Sequence, residues 1–150
     1  MKQKLLFMIS LLCMVAQGTW SHNVVDLSTL TSDYVAQNGD VLTGKLDTPV
    51  KISIADGANI TLKNATIEGS HDKEFAGITC LGDATIILEG NNEVCGHYAY
   101  FPGIMPGPSG TTLTIKGDCS LAARSNGYSA GIGAGFDTSC GNIRIEGGAS

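Results

Sequence analysis

The stretch "GHYAYFPGIMPGPSG", residues 96–110, crowds His97, Tyr98, Tyr100 and Phe101 among glycines and prolines. Aromatic rings beside hydrogen-bonding side chains are the pairing that recognises a sugar. The C–H face of the sugar packs on the aromatic ring, and polar groups hold its hydroxyls. Counting three positions back from the glycine of each "GI" dipeptide aligns Glu74, Tyr100 and Tyr128. Tyr98, Tyr100, Tyr128 and His97 are therefore the candidate ligand-binding residues. A competing reading is purely structural: Phe75 and Phe101, one position later, pack into the fold, and the tyrosines only cover an apolar corner.

Other chemistries have weaker support. Calcium requires several oxygen ligands converging on one point. Asp56, Asp72, Glu74, Asp83, Glu93, Asp118 and Asp137 could supply them, but they follow no EF-hand or repeated glycine-aspartate pattern, so calcium stays an open cofactor. The ordinary reading of these carboxylates is a solvated surface. Polysaccharide hydrolysis needs paired carboxylates and lyase chemistry needs a base near a cation. Asp83 and Asp118 fall in different columns, and neither Arg124 nor Arg144 has an evident partner. No catalytic residue is assigned. His22, His71 and His97 each stand alone in polar segments, where a surface histidine is expected. "GIGAG" at 131–135 lacks the Lys-Ser/Thr ending of a phosphate loop.

Residues 1–21, "MKQKLLFMISLLCMVAQGTWS", place two lysines before a short apolar run and then small residues, the pattern of a secretory signal peptide. Cleavage is expected after Gly18 or Ser21. Leu12 before Cys13 argues against a lipid anchor. The net charge is −5, and the acidic residues all lie beyond the signal, so an exported chain is more acidic still. That excludes the basic footprint that nucleic acid requires. Cys80, Cys95, Cys119 and Cys140 remain after cleavage. Export permits disulfides, but four cysteines allow about three pairings, and the simpler expectation is small buried side chains.

The elements that must position the aromatic stretch come from an internal repeat. "NITLKNATI", "TIILEGNNEV", "TLTIKGDCSL" and "NIRIEGGAS" align at Ile60, Ile86, Leu113 and Ile143, in steps of 26, 27 and 30 residues. A second column, Ile52, Ile78, Ile104 and Ile132, steps by 26, 26 and 28. Each unit carries two short runs with period-two alternation, which reads as strands with one buried face. A period near 27 fits stacked coils better than propeller blades of about 40–50 residues. The expected fold is all-β, a right-handed parallel β-helix of about four coils.

This alignment makes an outward column of Lys63, Glu89, Lys116 and Glu146, with alternating charges, followed by turn residues Asn64, Gly90, Gly117 and Gly147. Opposite charges facing across a ladder support stacking. Residues 22–48 do not follow the repeat and are expected to cap the N-terminal end; residues 49–150 carry the repeats. No capping segment follows the last strand before Ser150. The open coil is expected to be covered by another chain or by self-association, or else to mark a shortened reading frame.

"GDVLTGKL", "KISIADGANITLKNATI", "AGITCLGDATIILEGNNEV", "GIMPGPSGTTLTIKGDCSL", "AGIGAG" and "CGNIRIEGG" occur in that order over roughly residues 38–149. In period and order they resemble the β-helical carbohydrate-binding-domain family of secreted bacterial surface proteins. The resemblance implies an extracellular right-handed parallel β-helix at a bacterial cell surface that binds polysaccharide, including acidic sugars with calcium. The alternative that the residues leave open is a structural or adhesin-like repeat scaffold with no small-ligand site.

Overall fold

A computed structural model describes residues 22–148. The expected signal peptide lies outside the described residues. Among the described residues the chain is all-β, with twelve strands and one 3-10 turn, Leu27–Thr29. The first three strands are β1 (Val24–Asp26), β2 (Tyr34–Ala36) and β3 (Val41–Leu46), then β4 (Ile52–Ile54), β5 (Ala58–Ile67) and β6 (Ile78–Cys80). The rest are β7 (Ala84–Glu89), β8 (Asn91–Cys95), β9 (Ile104–Met105), β10 (Thr112–Lys116), β11 (Ser120–Arg124) and β12 (Asn142–Glu146).

Every strand pair is parallel. One sheet runs β1-β3-β5-β7-β10-β12, with β8 joined to β5 and β11 to β8. The other runs β2-β4-β6-β9. From β1 to β7 successive strands alternate between the two sheets, after which β8 follows β7 and β11 and β12 follow β10 within the first; the connections that leave β8 and β11 carry the candidate site. Residues 22–48, which break the sequence repeat, still contribute β1 and β3 to the first sheet and β2 to the second.

Period-two alternation sends one set of side chains inward. Ile60, Leu62, Ile86, Leu88, Leu113 and Ile115 from the first sheet meet Ile52, Ile54, Ile78 and Ile104 from the second in one buried core. Branched aliphatic residues suit this surface because their stiff side chains pack on a pleat. The column Ile52, Ile78, Ile104 and Ile132 is paired rung by rung, as its spacing predicts.

The other column needs a correction. Ile60 lies opposite Ile86, but Ile86 lies opposite Ile115 and Leu113 opposite Ala84. The step from β7 to β10 is therefore two residues longer than the apolar alignment predicts. Lys63 faces Glu89 and Lys116 faces Glu146, but Lys116 also faces Ile87, so no continuous charge column forms. A two-residue slip keeps every side chain on its own face, and apolar pattern alone cannot detect it. The register is set by polar pins instead: Asp83 Oδ1 accepts from Thr112 N at 2.7 Å, and Asp56 Oδ1 accepts from Asp83 N at 2.9 Å.

Such pins recur at the corners. Asn38 accepts from Asn59 N, Asn64 from Asn91 N, Asn92 from Ala65 N and Asp118 from Gly148 N. Each satisfies a backbone donor that the corner would otherwise leave unpaired. Carboxylates expected to be merely solvated thus hold neighbouring rungs together. Near the N-terminal end, Tyr34 OH donates to the buried Asp40 carboxylate at 2.7 Å, and desolvation together with that bond pushes the phenol pKa up to about 12.

Candidate functional site

The candidate aromatic residues sit where the chain leaves β8 or β11 for the second sheet. Tyr98 and Tyr100 lie in the connection from β8 to β9, and Tyr128 lies in the equivalent connection after β11. Glycines let these connections approach closely. A Cβ on Gly127 would sit 2.7 Å from Ala99 Cα, and one on Gly96 would strike the Phe101 carbonyl. Backbone bonds then stack the loops: Tyr128 N donates to Ala99 O at 2.6 Å, and Phe136 N to Tyr100 O at 3.0 Å. Ser125 Oγ accepts from Gly127 N and Ser129 N, which orders the turn that carries Tyr128.

The result is a continuous aromatic strip. Tyr100 and Tyr128 are stacked, with ring centroids 6.2 Å apart and planes 28° apart. Tyr98 meets Tyr100 edge-on at 5.7 Å. Phe136 adds a fourth ring, 5.3 Å from Tyr100. Tyr100 is 43% exposed, Tyr128 79% and Phe136 57%, so the strip faces solvent instead of filling the core. The alignment on "GI" could not reach Phe136, which follows the last such dipeptide; a lone phenylalanine in the glycine-rich "GAGFDTS" was the available signal.

His97 is corrected. It is fully buried, with its ring 4.4 Å from Phe75, so it lies behind the strip and offers nothing to a ligand at the surface. Its Nδ1 accepts from Ser70 N at 3.2 Å, which assigns the neutral ring's proton to Nε2. Desolvation, followed by the nearby Lys73 ammonium, holds its pKa below the ordinary 6.5. A depressed histidine pKa means that the unfolded chain takes up the proton first. The stabilisation from the neutral ring is complete above pH 6.5 and is lost as pH falls toward the folded-state value. The urea midpoint is expected to drop between pH 7.5 and pH 5.5, and to drop less in His97→Asn; equal drops in both chains would rule out this role.

Both arginines and one lysine–glutamate pair are tied to neighbouring side chains. Arg124 pairs with Glu93 on the adjacent strand, Arg144 with Glu146 on its own strand at 2.6 Å, and Lys63 with Glu89 at 2.9 Å. The arginines that looked unpartnered in the sequence thus have partners. His22 and His71 are exposed, as expected. Cys80 is buried, and desolvation lifts its thiol pKa to about 12; Cys95, Cys119 and Cys140 are half-buried, and all four are free thiols. Among the described residues no three His, Cys, Asp or Glu side chains converge as a metal site. Among the described residues no helix is long and apolar enough to cross a membrane. The chain matches no protein-family model, and neither a curated protein nor a solved structure is significantly similar to it.

Proposed function

We propose that this chain is a secreted, non-catalytic carbohydrate-binding module of a bacterial surface, built as a right-handed parallel β-helix with Tyr98, Tyr100 and Tyr128 as its sugar platform. The reading rests on one observation: the exposed rings of Tyr100, Tyr128 and Phe136, with half-buried Tyr98 beside them, align across consecutive connections held by backbone bonds between loops. Aromatic groups pre-positioned in this way bind with little ordering cost. An exposed aromatic patch is itself a mark of an interaction surface. The order of motifs that resembles the β-helical carbohydrate-binding family supports the same reading. So do the parallel strands divided between two sheets; parallel crossovers are almost always right-handed. A crystal structure with a left-handed path, or with sheets that do not close around one core, would overturn the architecture.

The functional test is a glycan array of neutral and acidic polysaccharides, run with calcium and with chelator. Binding is expected, and Tyr128→Ala is expected to weaken it about tenfold or more, since removing an aromatic anchor typically costs above ~1 kcal/mol. Tyr128 is mostly exposed, so the variant should unfold at the wild-type temperature. Loss of binding in chelator would add calcium to the site. Undiminished binding by Tyr128→Ala would remove the strip as the platform. A folded chain that binds no glycan would favour the structural or adhesin-like scaffold, which the inter-rung pins at Asp56, Asp83 and Asp118 also suit.

A further inference from the structure

The two connections that carry the aromatic strip hold almost no charge. Residues 96–103, between β8 and β9, contain no Lys, Arg, Asp or Glu, and residues 125–141, between β11 and β12, contain only Asp137. Asp137 directly follows Phe136, is exposed, and has a left-handed backbone with φ +53°. Aspartate is one of the few side chains that this conformation accepts. The turn that presents it is tied at both sides: Phe136 N donates to Tyr100 O at 3.0 Å, and Thr138 N donates to Gly135 O at 3.3 Å. None of the ion pairs among the described residues involves its carboxylate. The cations of neighbouring segments are offset. Lys73, whose charge is felt at His97 behind the strip, stands between Asp72 and Glu74 in the connection from β5 to β6, and Arg124 at the end of β11 pairs with Glu93. The whole chain is acidic, with a net charge of −5.

We propose that the strip takes neutral glycans and rejects anionic ones, and that Asp137 is the residue that sets this choice. The choice presupposes the sugar platform proposed above and adds its ligand class. A sugar ring laid on Phe136 and Tyr100 carries its hydroxyls at its edge, and the Asp137 carboxylate, on the residue after Phe136, accepts hydrogen bonds from them. Such charge-assisted bonds are stronger than neutral ones. A uronate or a sulfate ester brings charge of the same sign to that edge, and neither connection has a lysine or arginine to pair with it. Like charges set against each other weaken binding, and a charge placed against the wrong partner is a common means of specificity. Ring packing is the same for both classes of sugar. The rings therefore supply affinity and the carboxylate supplies discrimination, in favour of a ligand class opposite to the acidic sugars that the order of motifs implies.

Matched pairs of probes decide it: neutral glucans, galactans and mannans, each beside the same polymer oxidised at C6 to the uronate, in chelator and in calcium. The neutral member of a bound pair is expected to bind about tenfold or more tightly. Added salt should narrow that gap by strengthening the uronate alone, which reads the charge effect in the unaltered chain. Asp137→Asn keeps a side chain that tolerates the left-handed turn, so it should unfold at the wild-type temperature. It should weaken the neutral member about threefold and tighten the uronate, closing most of the gap. Tyr128→Ala should weaken both members alike and leave their ratio unchanged. A folded chain that binds no probe, or binds undiminished with Tyr128→Ala, removes the platform and this choice with it. Binding that depends on Tyr128 but favours the uronate in either solution, a gap that salt does not move, or a ratio that Asp137→Asn leaves unchanged would overturn the neutral-glycan assignment alone.

Discussion

Gly103→Ala is expected to destabilise the fold by about 3 kcal/mol or more, or to prevent folding altogether, because overpacking against parts that cannot yield lies at the upper end of its usual range. A Cβ on Gly103 would stand 2.6 Å from the carbonyl oxygen of Val94 and 2.8 Å from those of Arg124 and Gly131. These are backbone atoms of β8, β11 and the following connection, so rotamer changes cannot make room. The Gly131 carbonyl also accepts from Ile104 N at 3.0 Å, and Gly103's own carbonyl accepts from Ile78 N at 2.9 Å. Moving either strand aside would break the ladder that aligns the isoleucine column. Gly77 meets the same restriction at the Cys95 and Gly103 carbonyls, both under 3 Å. Gly57 supplies the comparison: its φ is +73°, but a Cβ there would meet nothing within 4 Å. Gly57→Ala should therefore cost only the conformational strain, about 1–2 kcal/mol. Urea unfolding of both variants measures the difference. A Gly103→Ala chain as stable as Gly57→Ala would show that the two sheets do not approach this closely at the glycine column.

The "GI" repeat was legible in the sequence, although its cause was not. Its isoleucines are inward-facing, and its glycines stand where strand ends from the first sheet pass against the start of the second. Both demands fall on adjacent residues of one chain, so spacing alone recovers the column and the tyrosines three positions before it. The register between β7 and β10 was not legible. Ala84, Ile86 and Leu88 all face inward, and Leu113 can be set against Ala84 or Ile86 without exposing an apolar side chain. The choice is made by the Asp83 carboxylate on Thr112 N, a side-chain contact between rungs that apolar periodicity does not encode. His97 was misplaced for a related reason. A histidine among tyrosines and glycines looks solvated, yet it is covered by Phe75 from the connection between β5 and β6, 22 positions earlier in the chain.

The same inward position repeated along the stack gives the second large effect and a gradient with it. Ile60, Ile86, Ile115 and Ile145 form one column with exposures of 1%, 0%, 2% and 59%. Ile86→Ala removes a side chain enclosed by rungs on both sides and leaves a cavity that stiff parallel strands cannot collapse, so it is expected to cost about 2–5 kcal/mol. Ile145→Ala removes the same atoms from a site that retains water, and in the monomer its cost should be about 0.5 kcal/mol. Denaturant unfolding of the two variants at low protein concentration decides the matter. Similar costs would mean that Ile86 is not enclosed between neighbouring strands.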